Sequence, residues 1–185
     1  MSRRILGVNG IYNWSWSKNS FTDKLLQTFE NTHEVVDVKY PFMLASFAYF
    51  DWCIKRRAKI ILEANKSESD ILIAHSFGCL AARYAMEMGA KFDKVFFFGA
   101  ADEMDSAFPK LAFNELFNIY SPTDSALMFG GAIPFHKFGH LGKHGYLGHD
   151  SRIINVKAEG MEHGDYVLPR HICDWNDFIQ KEIAL

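Results

Sequence analysis

"DILIAHSFGCLAARYAMEMG", residues 70–89, holds the decision about the fold. Its first part, 70–76, is an apolar run of strand length without polar alternation, as expected for a strand covered on both faces. Its second part is rich in alanine and in leucine- and methionine-type side chains, good helix formers, and closes at Gly89. Between them lies Ala74-His75-Ser76-Phe77-Gly78. A tight strand-to-helix turn has room only for small residues two before and two after its central serine, and this pentapeptide supplies them. Such a turn lifts the Ser76 hydroxyl above the strand ends, where the first amides of the following helix favour negative charge. The plain alternative is a serine that merely caps a helix.

Working outward, strand-length and helix-period segments alternate. Residues 3–10, "RRILGVNG", predict a strand ending at a glycine. Residues 20–31, "SFTDKLLQTFEN", predict an amphipathic helix with Ser20 as N-cap and Asp23 in its first turn. Strand 33–40 stops at Pro41. A helix is expected from Phe47 to Ala64, with Phe47, Phe50, Ile54, Ala58 and Ile61 along one face. Strands follow at 94–100, 116–122 and 152–158, and a last helix runs from Tyr166 to Ile183, bent or restarted near Pro169. Strands that alternate with helices imply a three-layer α/β sandwich. Its central sheet of about six mostly parallel strands is flanked by helices.

The 185 residues fit a single domain spanning 1–185, and 49% hydrophobic with 23% charged residues is a globular composition. A net charge of −2 gives no reason to expect nucleic acid as a partner. The basic cluster Lys55-Arg56-Arg57 with Lys59 reads as a solvated helix face. Cys53, Cys79 and Cys173 are widely spaced and odd in number, which suits a reducing compartment better than a disulfide framework. No apolar stretch reaches the length of a signal-peptide core or a membrane span, so a soluble, cytoplasmic protein is expected.

A serine hydroxyl needs a base to take its proton and a carboxylate to orient that base. On a doubly wound sheet these come from the carboxyl ends of later strands. "LFNIYSPTD" delivers Asp124 after one strand, and "RIINVKAEGMEH" delivers His163 after the last. Asp102, after "FFFGAAD", is the rival acid, and Asp124 has a second reading as a turn residue. His149 is the nearest rival base but precedes the last strand. Asp165 reads as a helix-start carboxylate.

In Ser76, Asp124 and His163, in that order, and in nearly its whole length, the chain resembles a small serine α/β-hydrolase. The resemblance implies hydrolysis through an acyl-enzyme, with no metal and no organic cofactor. The leading expectation is a carboxylic ester with a small or medium acyl group. Amidase, peptidase, thioesterase and acyltransferase reactions use the same triad, and a binding protein on the hydrolase scaffold is a further alternative. The resemblance also implies an oxyanion hole built from the backbone N–H of Phe77 and of Ile11, with Tyr12 as the alternative to Ile11. Asn9 stands where the family often has histidine. Only residues 101–115 separate one strand from the next at the position where relatives insert a cap, so no large cap is expected. Tyr12, Trp14, Phe42 and His75 are the candidate substrate contacts, joined by Trp16 and Met43, with packing at the sheet's rim as the alternative. His75 lies inside the elbow and faces away from the serine's own role. Residues 130–150, rich in glycine and histidine, read as a loop, either covering the substrate or structural or mobile, rather than a helix or a metal site.

Overall fold

A computed structural model of the chain describes residues 3–11, 21–40, 50–130 and 139–185. The strands are β1 (Arg4–Val8), β2 (Glu34–Val38), β3 (Ile71–His75), β4 (Phe92–Phe98), β5 (Phe113–Tyr120) and β6 (Ile153–Lys157). They form one sheet in the order β2-β1-β3-β4-β5-β6, and every pairing is parallel. The helices are α1 (Phe21–Gln27), α2 (Asp51–Ala64), α3 (Phe77–Glu87), α4 (Ser125–Gly130), α5 (Leu141–His144) and α6 (Pro169–Ala184).

Period-two alternation sorts even the all-apolar strands into two cores. Leu72 and Ala74 of β3, with Val95 and Phe97 of β4, face α2 and α3. Ile71, Ile73, Phe96 and Phe98 face the other way, onto Leu25 and Leu26 of α1 and Trp175 and Ile179 of α6. The central runs Ile71–Ala74 and Val95–Phe98 are therefore sealed on both sides, which is why they carry no polar residue to mark a solvent face. The strand order reverses between β1 and β3, and the carboxyl ends on either side of such a reversal are where doubly wound sheets hold their ligands. Ser76 follows the last residue of β3, at that point.

Several boundaries differ from expectation. The first helix ends at Gln27, not Asn31; Thr28 and Phe29 bond back three residues to Leu25 and Leu26, and the Thr28 hydroxyl also takes the Leu25 carbonyl. The second begins at Asp51 because Phe50 is extended (φ −81°, ψ 135°) and 53% exposed. Phe47 and Ser20 lie outside the described residues. The basic cluster is not wholly solvated: Lys55, Arg56 and Lys59 are exposed, but Arg57 is 3% exposed and belongs to the buried face of α2. The glycine- and histidine-rich stretch contains one helical turn, α5, hydrogen-bonded to the loops after β4 and β5 through Leu141 N–H to Asp102 O, Gly142 N–H to Ala100 O and Ser121 N–H to Gly142 O. Residues 131–138 of it are outside the described set. The last helix is restarted at Pro169 after a 3-10 turn over Asp165–Val167, where proline's missing N–H costs no hydrogen bond. The short link from β4 to β5 leaves no room for a large cap at that point.

Candidate active site

Ser76 has φ 57° and ψ −126°, the one positive φ of a non-glycine residue among the described residues. Strain of this kind costs on the order of 1–3 kcal/mol and persists only where the surroundings over-determine it. Here they do. Ser76 N–H donates to Phe98 O (2.9 Å), and its carbonyl accepts from Cys79 N–H (3.1 Å) and Ala101 N–H (3.2 Å). Gly78 brings α3 against the end of β1 so closely that a Cβ there would lie 2.6 Å from Val8 O. The turn therefore tolerates no side chain at that position.

Asp124 and His163 converge on the strained serine from two further loops. His163 Nε2 is 2.8 Å from Ser76 Oγ, and His163 Nδ1 is 2.7 Å from Asp124 Oδ2. The buried carboxylate accepts only, so the proton on that side belongs to Nδ1, and Nε2 is left to accept from the serine hydroxyl. Asp124 is fully buried, and its other oxygen accepts from Leu127 N–H (3.3 Å). The two loops are tied to each other. Thr123 Oγ1 donates to Met161 O (2.9 Å), and the Ser125 N–H and hydroxyl both donate to Glu162 Oε2 (3.0 and 2.7 Å). Those bonds hold Glu162 below the usual carboxylate range.

The rivals lie elsewhere. Asp102 is also fully buried, but its carboxylate takes Arg83 Nε (2.7 Å), Glu103 N–H (2.9 Å) and Ser106 Oγ (3.1 Å). Burial pushes its pKa up, against the pull of Arg83. His149 is exposed, and Asp165 accepts from Glu162 N–H (2.9 Å), bracing the loop that carries His163.

His75 packs its ring 4.9 Å from that of His163, with Nε2 3.3 Å from the His163 carbonyl oxygen. Burial, then the neighbouring imidazole, push its pKa down to about 3, so at neutral pH its ring is uncharged. It is thus placed behind His163. Phe77 opens α3, and Gly10, just before Ile11, borders the serine: a Cβ there would lie 3.0 Å from Ser76 Cβ and 3.3 Å from its Oγ. Tyr12, Trp14, Trp16, Phe42 and Met43 lie outside the described residues. Among the described residues, no group of three or more His, Cys, Asp or Glu side chains is arranged to hold a metal ion, and no helix is long and apolar enough to cross a membrane.

Two contributors escape sequence reasoning. Gly99, after β4, has φ 52°, and a Cβ on it would meet Tyr166 Cε2 at 3.1 Å, His163 Nδ1 at 3.2 Å and Asp124 Oδ2 at 3.3 Å. Tyr166, fully buried, packs by its ring against His75 and Phe98. A glycine closing the apolar run Val95–Phe98 was the available signal for the first; the second carried none.

No protein-family model and no curated protein matches the sequence. Solved structures do match the path of the chain. The monoacylglycerol lipase of Paleococcus ferrophilus is similar at 11% identity, with 97% of this chain and 93% of that one covered and a TM-score of 0.64. A structure from work on the carboxylesterases of Nitrososphaera gargenis is similar at 11% identity, covering 100% and 92%, with a TM-score of 0.62. A thermophilic esterase from Thermogutta terrifontis, with butyrate bound, is similar at 12% identity, covering 98% and 84%, with a TM-score of 0.59. At such identities what is shared is the order and pairing of strands and helices, and that order is the α/β-hydrolase fold.

Proposed function

We propose that the chain is a serine hydrolase that cleaves a carboxylic ester of a small or medium acyl group, with Ser76, His163 and Asp124 as its triad. The single observation that carries this reading is the continuous relay from Asp124 through both nitrogens of His163 to the hydroxyl of a backbone-strained serine. The ester preference draws support from the neighbours, which include a monoacylglycerol lipase and an esterase holding butyrate.

In the reaction, Ser76 Oγ attacks the ester carbonyl carbon as its proton passes to His163 Nε2. The carbonyl π pair moves onto oxygen, and the N–H groups of Phe77 and Ile11 receive that oxyanion. Removing one such donor costs about 2.7–4 kcal/mol of transition-state stabilisation in comparable sites. Asp124 stabilises the imidazolium while it lasts. The oxyanion then collapses, the C–O bond to the alcohol breaks, and the alkoxide takes the proton from Nε2. A water gives its proton to the same nitrogen, its oxygen attacks the acyl-enzyme, and the second collapse returns the proton to Ser76 Oγ and releases the acid. One ester and one water become one acid and one alcohol.

The test is intact mass after treatment with a fluorophosphonate. One adduct on the wild type and none on Ser76→Ala is the expected result, followed by a screen of acyl esters graded by chain length. A folded wild type that takes no adduct overturns the reading.

A further inference from the structure

The buried face of α2 carries a cation among Cys53, Ile54, Ala58 and Ile61: Arg57, 3% exposed. A guanidinium keeps its charge in a protein interior, and buried charges are ordinarily paired, because an unpaired one is strongly destabilising. Arg57 has no such pairing. Its Nη1 meets no hydrogen-bond partner, and among the described residues no carboxylate pairs with it. Segments 12–20, 41–49 and 131–138 contain no Asp or Glu, so they have no carboxylate side chain to offer. Asp23 is on α1, which packs on the opposite face of the sheet. What surrounds the guanidinium is aromatic: its central carbon is 4.8 Å from the ring centroid of Tyr40 and 4.8 Å from that of Phe77. The Tyr40 hydroxyl, on a residue 1% exposed, likewise has no partner.

An apolar side chain of similar volume would serve the core better than this arginine, since replacing buried ionic groups by well-packed apolar ones is often neutral or stabilising. Its position is informative. Phe77 is the residue immediately after Ser76, and Tyr40 follows β2 at the carboxyl edge of the sheet, the edge that carries the triad. Side chains on a helix lean toward its N-terminus, and the N-terminus of α2 lies at that same edge, because α2 returns antiparallel from the end of β2 to the start of β3.

We propose that Arg57, assisted by the Tyr40 hydroxyl, binds a carboxylate at the far end of the acyl group, so that the substrates are half-esters of dicarboxylic acids. Turnover of such esters rests on the serine-hydrolase reading above; the binding site does not. The charge count selects a monoanion. Lys94, the other cation in the buried set, is engaged with Glu115 and with the Glu182 carbonyl, which leaves one unmatched positive charge at Arg57. The guanidinium fork matches the two oxygens of a carboxylate, and the phenol adds a third donor.

The experiment is calorimetric binding to Ser76→Ala at neutral pH, with monomethyl glutarate and monomethyl adipate as probes and the corresponding dimethyl esters as controls. A charge-assisted contact predicts half-esters binding about tenfold or more tighter than diesters. In Ser76→Ala/Arg57→Met that preference collapses to within about twofold, and Ser76→Ala/Arg57→Lys, which keeps the charge but loses the fork, falls between. Equal affinity for half-esters and diesters in Ser76→Ala overturns the proposal without any need for the arginine variants. So does a preference that survives Arg57→Met, or methyl phosphate binding more tightly than both half-esters. Fluorophosphonate labelling of the wild type is read separately, so failure of the hydrolase reading and failure of the carboxylate site give different patterns.

Discussion

Asp102 and Asp124 follow neighbouring parallel strands, β4 and β5, and both are completely buried. One is locked to Arg83 of α3 and to Ser106, the other to His163. Two chemically identical groups at equivalent ends of adjacent strands have therefore taken different partners, and the partner decides what each can do. A guanidinium that never releases its proton makes a fixed ion pair, whereas an imidazole can accept a proton and return it. Burial alone marks neither aspartate as catalytic.

The largest break in the comparison is Asp124→Asn. With an amide in place of the carboxylate, His163 is free to hold its proton on the nitrogen that faces Ser76, and kcat should fall about 10⁴-fold while the fold persists. Steady-state hydrolysis of a 4-nitrophenyl ester, with circular dichroism as the control, measures it. Asp102→Ala should do the reverse. It leaves the Arg83 guanidinium, whose side chain is 12% exposed, without its buried partner, and stability should drop by about 3–5 kcal/mol in urea unfolding. Activity per folded molecule should stay within about twofold. Equal losses of turnover in the two variants would mean that the division of labour is wrong.

The sequence makes the centre of the molecule legible because that part is local. Strand, elbow and helix are contiguous from 70 to 89, and the small residues the turn needs are two positions from the serine. The same locality puts Asp124 and His163 at the ends of their strands. It does not join them. The bonds from Thr123 to Met161 and from Ser125 to Glu162 link loops whose partners are 37–38 residues apart, and a pattern of hydroxyls and one glutamate does not announce them. Arg57 fails for a related reason. Helical spacing places it beside Cys53, Ile54 and Ala58, but charge argues for solvent, and only the rings of Tyr40 and Phe77 show which argument wins. Glycines in 139–148 read as breakers, yet one turn forms at α5 where its backbone is stitched to the loops after β4 and β5.

His163 has a second neighbour that sharpens the contrast with the fixed pair at Asp102. His75, with its pKa pushed down to about 3, stays neutral in the fold while its unfolded counterpart protonates near pH 6.5. Between those values the unfolded chain binds more protons than the native one, so stability falls as pH drops. From pH 7 to pH 5 this one group removes up to about 2 kcal/mol. His75→Phe should therefore show a flatter dependence of its urea midpoint on pH than the wild type over that window. Parallel curves would mean that the imidazole titrates as freely in the native protein as in the unfolded chain.

Gly99 gives the smallest effect and the most specific one. It lies at the end of β4, the strand that leads to Asp102, yet its missing side chain serves the other aspartate. An alanine there would pay about 1–2 kcal/mol for its left-handed φ. Its Cβ would also press on the Asp124–His163 hydrogen bond from 3.2–3.3 Å, and the neighbours must yield by a few tenths of an ångström. Since a misplacement of about 1 Å can cost a hundredfold in rate, a shift of that smaller size should lower kcat about tenfold or less. A conformational penalty acting on the backbone alone would lower stability with kcat intact. A fall in kcat that accompanies the loss of stability would show that β4, the strand that leads to Asp102, sets the spacing on which the Asp124–His163 pair depends.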